Sequence, residues 1–500
     1  MAINSIGSST SLLGQSVLNI KNQLNTLQVQ LATGEKSTTY SGMGTGEGFA
    51  IAARAQLSNI TGYQSTITNV GTTISAANTA LQALSSTSSN VETAANSGSK
   101  TLNSNGQTAG QVTAISQLSS MLSILNTQGG NGYIFSGAAT NTPSVATADA
   151  ILNGNGAQAG LTQIISERQQ ADLGTTGLGR LTVSAPTTTS VSLAQDSSPF
   201  GIKLGAVSST LTGATVTGPA GSPAAISVDL GATNPNPGDQ LNITLNMPDG
   251  TTQSIKLTAT TTSPPPTGSF TIGATPAATA ANLQTALTTS ITTVANTSLV
   301  AASAMEASSN FFDQPPQRVS GPPFNTATSL VNGTSANTVS WYTGGTTTGS
   351  ARATQVAQIG PSQTVDYGIQ ANEQGIASQL QAIAAFAAFT VSPTNTNAAA
   401  QVSDMSASVA QALSTQPTQQ SIQDIQTDLA NAQTTMSTAS SLQTQTQSTL
   451  QDMVSQIETV SPDQVASQIL ALQTSLQASY QTTSMLSQLS LVKFLPVPTA

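Results

Sequence analysis

Apolar residues near the N-terminus return at Leu13, Val17, Ile20, Leu24, Leu27 and Leu31, in steps of four, three, four, three and four. Such steps place every one of these side chains on a single narrow stripe of an α-helix, the seam of a heptad repeat. No Gly or Pro falls between residues 15 and 33, and Gly34 marks a stop. A helix of about 25 residues and about 40 Å is therefore expected. A helix so long, with so narrow a stripe, cannot bury itself and has to be covered by other helices.

A second seam follows the glycine-spaced segment Ser41–Gly48. Ile60, Ile67, Ile74 and Leu81 fall seven apart, with Tyr63, Val70, Ala77, Leu84 and Val91 on the same side. A shorter stripe runs through Val112, Ile115, Leu118, Leu122 and Leu125 to Gly129 and Gly130. The C-terminal part mirrors this. Ile422, Ile425, Leu429, Ala432, Met436, Ala439, Leu450, Met453, Ile457 and Val460 keep one heptad frame, interrupted by Gln443 and Thr446. Ser461-Pro462-Asp463-Gln464 then reads as a helix start, with Ser at the N-cap, Pro at the first helical position and Gln placed to close a capping box. The stripe of that last helix runs through Val465, Ile469, Leu472, Leu476, Tyr480, Leu486 and Leu489.

Between residues 166 and 365 the period changes from helical to two. Leu241, Ile243, Leu245 and Met247 alternate, Pro248-Asp249-Gly250 turns the chain, and Ile255 and Leu257 resume, which predicts a β-hairpin. A helical patch follows at Leu283, Leu287, Ile291 and Val294, among proline-rich loops. The expected fold is α+β: an N-terminal helical segment over 1–165, a β-rich inserted domain over 166–365 and a C-terminal helical segment over 366–500.

Charge is what this chain lacks. It carries 11 Lys and Arg against 20 Asp and Glu, a net charge of −9 on 6% charged residues, with no His and no Cys. A weakly acidic chain offers no electrostatic footprint for nucleic acid. Without Cys there are no disulfides, thiolate metal sites or thiol nucleophiles, and without His the commonest general base and metal ligand are missing. The longest apolar run, Ala382–Phe389, is far shorter than a bilayer span, and no membrane insertion is expected. The polar, late-charged N-terminus does not read as a Sec-type signal, so any export is expected to use a route that reads no cleaved signal.

Motifs that suggest chemistry are isolated. The Gly42, Gly44, Gly46, Gly48 series lacks the strand before it and the Lys-Ser/Thr after it that a phosphate loop requires, and is read as a link between helices. Ser97-Gly-Ser-Lys100 matches an acyltransferase motif without its partner motifs. Asp424 and Asp428 share a helix face without convergent ligands, and Trp341-Tyr342 is read as a small core rather than a sugar platform. No catalytic, cofactor-binding or metal residue is assigned, and the chain is not expected to be an enzyme.

The remaining signal is the seams. A monomer's outer helix face normally carries Lys and Glu, yet residues 1–34 hold only Lys21. An apolar seam backed by Ser, Thr, Gln and Asn suits a helix covered on every side by neighbouring subunits, because burying amides and hydroxyls that are hydrogen-bonded costs far less than burying charge. Polymerisation is the expected function, with Leu13, Val17, Ile20, Leu24, Leu27, Leu31, Ile469, Leu472, Leu476, Leu486 and Leu489 as its interface.

Three stretches carry a resemblance: Leu24–Gly34, Gly46–Arg54 with the helix after it, and Leu476–Val492. In this order they resemble the bacterial flagellin family. The Gly-Thr-Gly-Glu-Gly48 segment departs from the acidic segment usual in filament subunits, while Gly132–Gly137 with Thr142-Pro143, and Tyr480–Leu491, look more like the hook-associated junction branch. The resemblance implies an antiparallel, coiled-coil-like bundle formed by both chain ends, with the β-rich domain projecting outward. It also implies export through the flagellar type III apparatus with a chaperone, assembly outside the cell with other axial proteins and copies of itself, and no cofactor. A main filament subunit is the alternative within the family, and a secreted adhesin or fibre protein the alternative outside it.

Overall fold

The computed structural model describes residues 3–97, 100–130, 132–347, 349–414 and 418–492, and is mixed α and β. Its helices are α1 (Ile3–Thr33), α2 (Glu47–Asn96), α3 (Ala109–Leu125), α4 (Ala148–Asn153), α5 (Leu161–Leu173), α6 (Pro276–Asn296), α7 (Ser298–Phe312), α8 (Gln374–Ala388), α9 (Ala398–Leu413), α10 (Ile422–Glu458) and α11 (Pro462–Val492). Its strands are β1 (Gln128–Gly129), β2 (Gly132–Tyr133), β3 (Leu181–Val183), β4 (Ser190–Gln195), β5 (Lys203–Ser209), β6 (Thr215–Ala220), β7 (Ala225–Asp229), β8 (Gln240–Asn246), β9 (Thr252–Thr260), β10 (Ser269–Thr271), β11 (Gln317–Val319), β12 (Leu330–Asn332), β13 (Val356–Gln358) and β14 (Thr364–Asp366). Two compact units emerge. One is drawn from within Met1–Thr68, Gln358–Thr364 and Thr434–Ala500, the other from Asn69–Ala357 and Val365–Gln433.

In the larger unit two four-stranded sheets, ordered β3-β4-β7-β6 and β10-β9-β8-β5, share one core with α6. The hairpin expected from the alternation is present, with Leu241 opposite Leu257 and Ile243 opposite Ile255. Gly250 closes its turn at φ +81°, a conformation that favours glycine, and donates its N–H to the Met247 carbonyl at 3.1 Å. Helix α6 starts on Thr275, whose hydroxyl accepts from the Ala278 N–H, and Pro276 takes the first turn. It buries Leu283, Leu287 and Ile291 against the sheets. Trp341 is 1% exposed, leans on Phe312 and donates its Nε1–H to the Phe312 carbonyl, which is the small core the sequence suggested.

Helix α3 corrects a detail of the periodicity. Val112 is 44% exposed, and the buried stripe starts one residue earlier, at Gln111, Ala114 and Leu118. Gln111 wins the inward position because its side chain bonds at both ends. Its Oε1 accepts from the Thr108 N–H to close a capping box, and its Nε2 donates to the carbonyls of Phe386 and Phe389 where α8 ends. The apolar run Ala382–Phe389 is fully buried there.

One cluster of charges in this unit points inward. Arg168 lies between Asp172 (Nε to Oδ2, 2.8 Å) and Asn310 (Nη1 to Oδ1, 3.0 Å), with Glu306 at 3.6 Å, and sits 5.2 Å from the centre of the Phe200 ring. Asp172 also accepts the Gly201 N–H at 2.8 Å. Burial pushes the Glu306 carboxyl above its ordinary range, against the pull of Arg168.

In the smaller unit α1 and α11 are packed together. Gly34 ends α1 at φ +73° and its carbonyl accepts from the Val460 N–H at 3.1 Å, while the Lys36 N–H donates to the Glu458 carbonyl at 2.6 Å. Arg54 grips the Glu458 carboxylate with two N–H groups. Those hydrogen bonds hold Glu458 below the usual carboxylate range and raise Arg54. Ala53, Ile60 and Leu450 pack where α2 and α10 pass. In α10 the frame read from sequence shifts at Met453, which is 42% exposed. Val454 and Glu458 turn inward instead, and Gln443, the apparent interruption, is buried and donates to the Ile359 carbonyl.

Replacing Asp172 by Ala leaves buried Arg168 with Glu306 at 3.6 Å as its remaining carboxylate and is expected to cost about 3–5 kcal/mol, read as a lower urea midpoint, whereas Asp149→Ala at an exposed position should change it little. A pH titration tests the clasp. Because the folded Glu458 pKa is lowered from its ordinary 4.5, its contribution is full above that value and is lost as pH falls below it. Amide protection at residues 34–36 should drop in that range, and Glu458→Gln should abolish the pH dependence.

Candidate assembly interface

The site read from sequence lies on α1 and α11, and both helices are close to charge-free: Lys21 is the one ionic residue of α1 and Asp463 that of α11. Leu13, Val17, Ile20, Leu24 and Leu27 are half-buried on the face of α1 that follows the heptad. On α11, Ile469 is buried and Leu472, Leu476 and Leu486 are half-buried. Leu31 departs from the expectation at 43% exposed. Leu489 lies in α11, but its side chain is outside those described.

The clasp sets the direction of the pair. Gly34 meets Val460 at one end, and farther along the same groove is bounded by Asn22, Thr26 and Leu27 together with Gln468, Ala471 and Leu472. As α1 is followed backward α11 runs forward, so the two are antiparallel. Their seam leaves an open groove of about 580 Å³ with an apolar floor.

Sequence reasoning missed the outer faces. Twelve of the fifteen large apolar residues exposed among the described residues belong to this smaller unit. They include Leu12, Leu18 and Val29 on α1, Phe49 and Ile51 on α2, Leu442 on α10, and Leu470, Tyr480 and Met485 on α11. Tyr480 had been placed on the inner stripe, but Ser479 holds the half-buried position and Tyr480 is 54% exposed. A signal was available: Leu18 and Val29 are eleven residues apart, three helical turns, on the face opposite the seam.

Many hydroxyls of these faces are bonded within their own helices. Thr26 donates to the Asn22 carbonyl, Thr33 to Val29, Thr474 to Leu470, Ser475 to Ala471 and Thr482 to Ala478, each four residues back at 2.7–3.0 Å. These back-bonded hydroxyls have little further need of water, while the exposed Asn and Gln side chains between them, such as Asn22, Gln23 and Gln468, keep their amides turned to solvent.

Asp424 accepts from the Ser421 N–H and hydroxyl at the start of α10, which holds its carboxyl below the usual range. The Tyr40–Gly46 segment is a 3-10 turn between α1 and α2. The Ser97–Lys100 motif includes residues 98 and 99, which lie outside the described residues. Among the described residues no cluster of three metal-ligating side chains occurs, and no helix is long and apolar enough to cross a membrane. Comparison with family models, with characterised proteins and with solved structures finds no match.

Proposed function

We propose that the chain is a structural subunit of the bacterial flagellum, of the flagellin family, that polymerises through its terminal helices at the hook–filament junction. The observation that carries this reading is the surface of the smaller unit: helices almost without charge, with large apolar side chains exposed on their outer faces. Monomeric proteins rarely leave such faces uncovered. In this reading the two chain ends form an antiparallel bundle, residues 1–165 and 366–500 supply the helical core, and 166–365 project outward. The subunit is extracellular, reaches its place through the flagellar type III apparatus with an export chaperone, and meets other axial proteins and its own copies. It is not an enzyme and needs no cofactor. A main filament flagellin is the alternative within the family. A trimeric secreted fibre finds less support, since parallel trimers pair like segments, whereas α1 here lies against α11 of its own chain.

Placing a carboxylate in the middle of the seam by Leu24→Asp is expected to cost on the order of several kcal/mol or to force protonation. Incorporation into flagella should fail while secretion into the medium continues, and normal incorporation would remove the seam from the interface. The branch is tested by growth. A junction subunit stops after few layers, so the purified protein, seeded with its own fragments, should not elongate, and micrometre-long filaments would make it a filament flagellin.

A further inference from the structure

We propose that the groove between α1 and α11 of one copy receives the Phe49 side chain of a second copy. The inference rests on the polymerising role and names the contact that builds it. Phe49 is the most exposed large apolar residue of the described chain, at 67%, and Ile51 beside it is 48% exposed. Neither is loose: they occupy the first turns of α2, whose inner face is fixed by buried Ala50 and Ala53. The groove presents Leu27, Ala471 and Leu472, an apolar floor in a space of about 580 Å³, ample for an aromatic ring.

Phe49 cannot fill the groove of its own chain. Its turn is held beside the end of α10: a side chain on neighbouring Gly46 would press Ile457, and Arg54 grips Glu458. Ala471 lies nine residues beyond the start of α11, about 14 Å along the helix and beyond the reach of that side chain. A second copy is the occupant the surfaces favour. Knob and groove are both apolar, and no charge lines the groove, so neither side strips water from an ion on contact. The rim hydroxyl of Thr26 and the nearby Ser475 are satisfied within their own helices, whereas the Asn22, Gln23 and Gln468 amides that complete the rim must find their hydrogen bonds across the contact or at its watered edge. Knob and groove are different patches, which makes the contact head-to-tail. Repeated from copy to copy, it closes a ring or continues a helix according to the rotation between neighbours.

The chain has no cysteine, so engineered thiols report without background. Two full-length variants with different tags, Phe49→Cys and Ala471→Cys, are mixed, brought to assembly with ammonium sulfate and oxidised. Mixed disulfides should exceed both like-with-like pairs by about tenfold or more, and should be absent from dilute, unassembled chains. Phe49→Ala should slow assembly about tenfold or more with unchanged circular dichroism, and Phe49→Leu should assemble close to the parent rate. Assembly without mixed disulfides, a predominance of like pairs, or parent-rate assembly of folded Phe49→Ala overturns the contact while leaving terminal-helix polymerisation standing. For a subunit that stops after few layers the assembly expected here is short rings, not long filaments, and failure of the parent chain to form even these overturns both.

Discussion

Arg54 and Glu458 stand 404 residues apart in the chain and grip each other with two hydrogen bonds. The chain must therefore leave this clasp through α2, build both sheets and return through α10 before α11 can meet α1. Such closure is costly in loop entropy, although the cost grows slowly with length, and no single ion pair repays it. The repayment is distributed: the apolar stripe of α2, with Val70, Ile74, Leu81 and Leu84 at 5% exposed or less, and that of α10, with Ile425 and Leu429 fully buried. The clasp defines where the return ends. Two backbone bonds, from Lys36 to Glu458 and from Val460 to Gly34, fix which turn of α1 faces which turn of α11.

The two units solve the problem of a charge-poor surface in different ways. In the larger one, apolar residues go inward in the usual sense, and sheet alternation hides nearly every large aliphatic side chain. In the smaller one there are too few layers for that. A pair of antiparallel helices has one mutual face, so Leu18, Val29, Leu470 and Met485 remain outside. The i to i−4 hydroxyl bonds along the same helices ease the polar side of the problem, because a Ser or Thr bonded to its own backbone carries little desolvation cost into an interface.

Much of this was legible in the sequence. The heptads located the long helices, Gly34 stopped α1, the Ser-Pro-Asp-Gln segment started α11 and the alternation around Pro248-Asp249-Gly250 marked a hairpin, each because a local rule and the tertiary environment agree. What was missed depends on partners distant in the chain. Gln111 displaced Val112 from the buried stripe because carbonyls at the end of α8 need a donor, and Gln443 took a buried place because the Ile359 carbonyl does. Apolarity scores neither. Helices α7 and α9 lie within runs of Ala and Ser whose burial is set by packing on each other and on α8, not by a strong stripe. At the interface, the inner seam was readable from its period, but the outer apolar residues were masked by the Ser, Thr and Gln between them.

All five arginines of the chain are ion-paired: Arg54 with Glu458, Arg168 with Asp172, Arg180 with Asp196, Arg318 with Glu167 and Arg352 with Glu373. Four of these arginines keep 15% or less of their side chain exposed. A protein that needed charge for solubility would display its guanidinium groups. This one uses their planar, multi-donor geometry to fix positions that apolar packing alone leaves free to slide. Arg180 donates to the Ala171 and Asn325 carbonyls, and Arg318 joins α5 through Glu167 to the Asn337 carbonyl. Guanidinium charge is thereby largely kept from the surface, by rarity and by pairing. What remains outside on α1 and α11 is almost uncharged, large apolar side chains among hydroxyls bonded to their own helices and neutral amides, a surface that can be covered without stripping water from an ion.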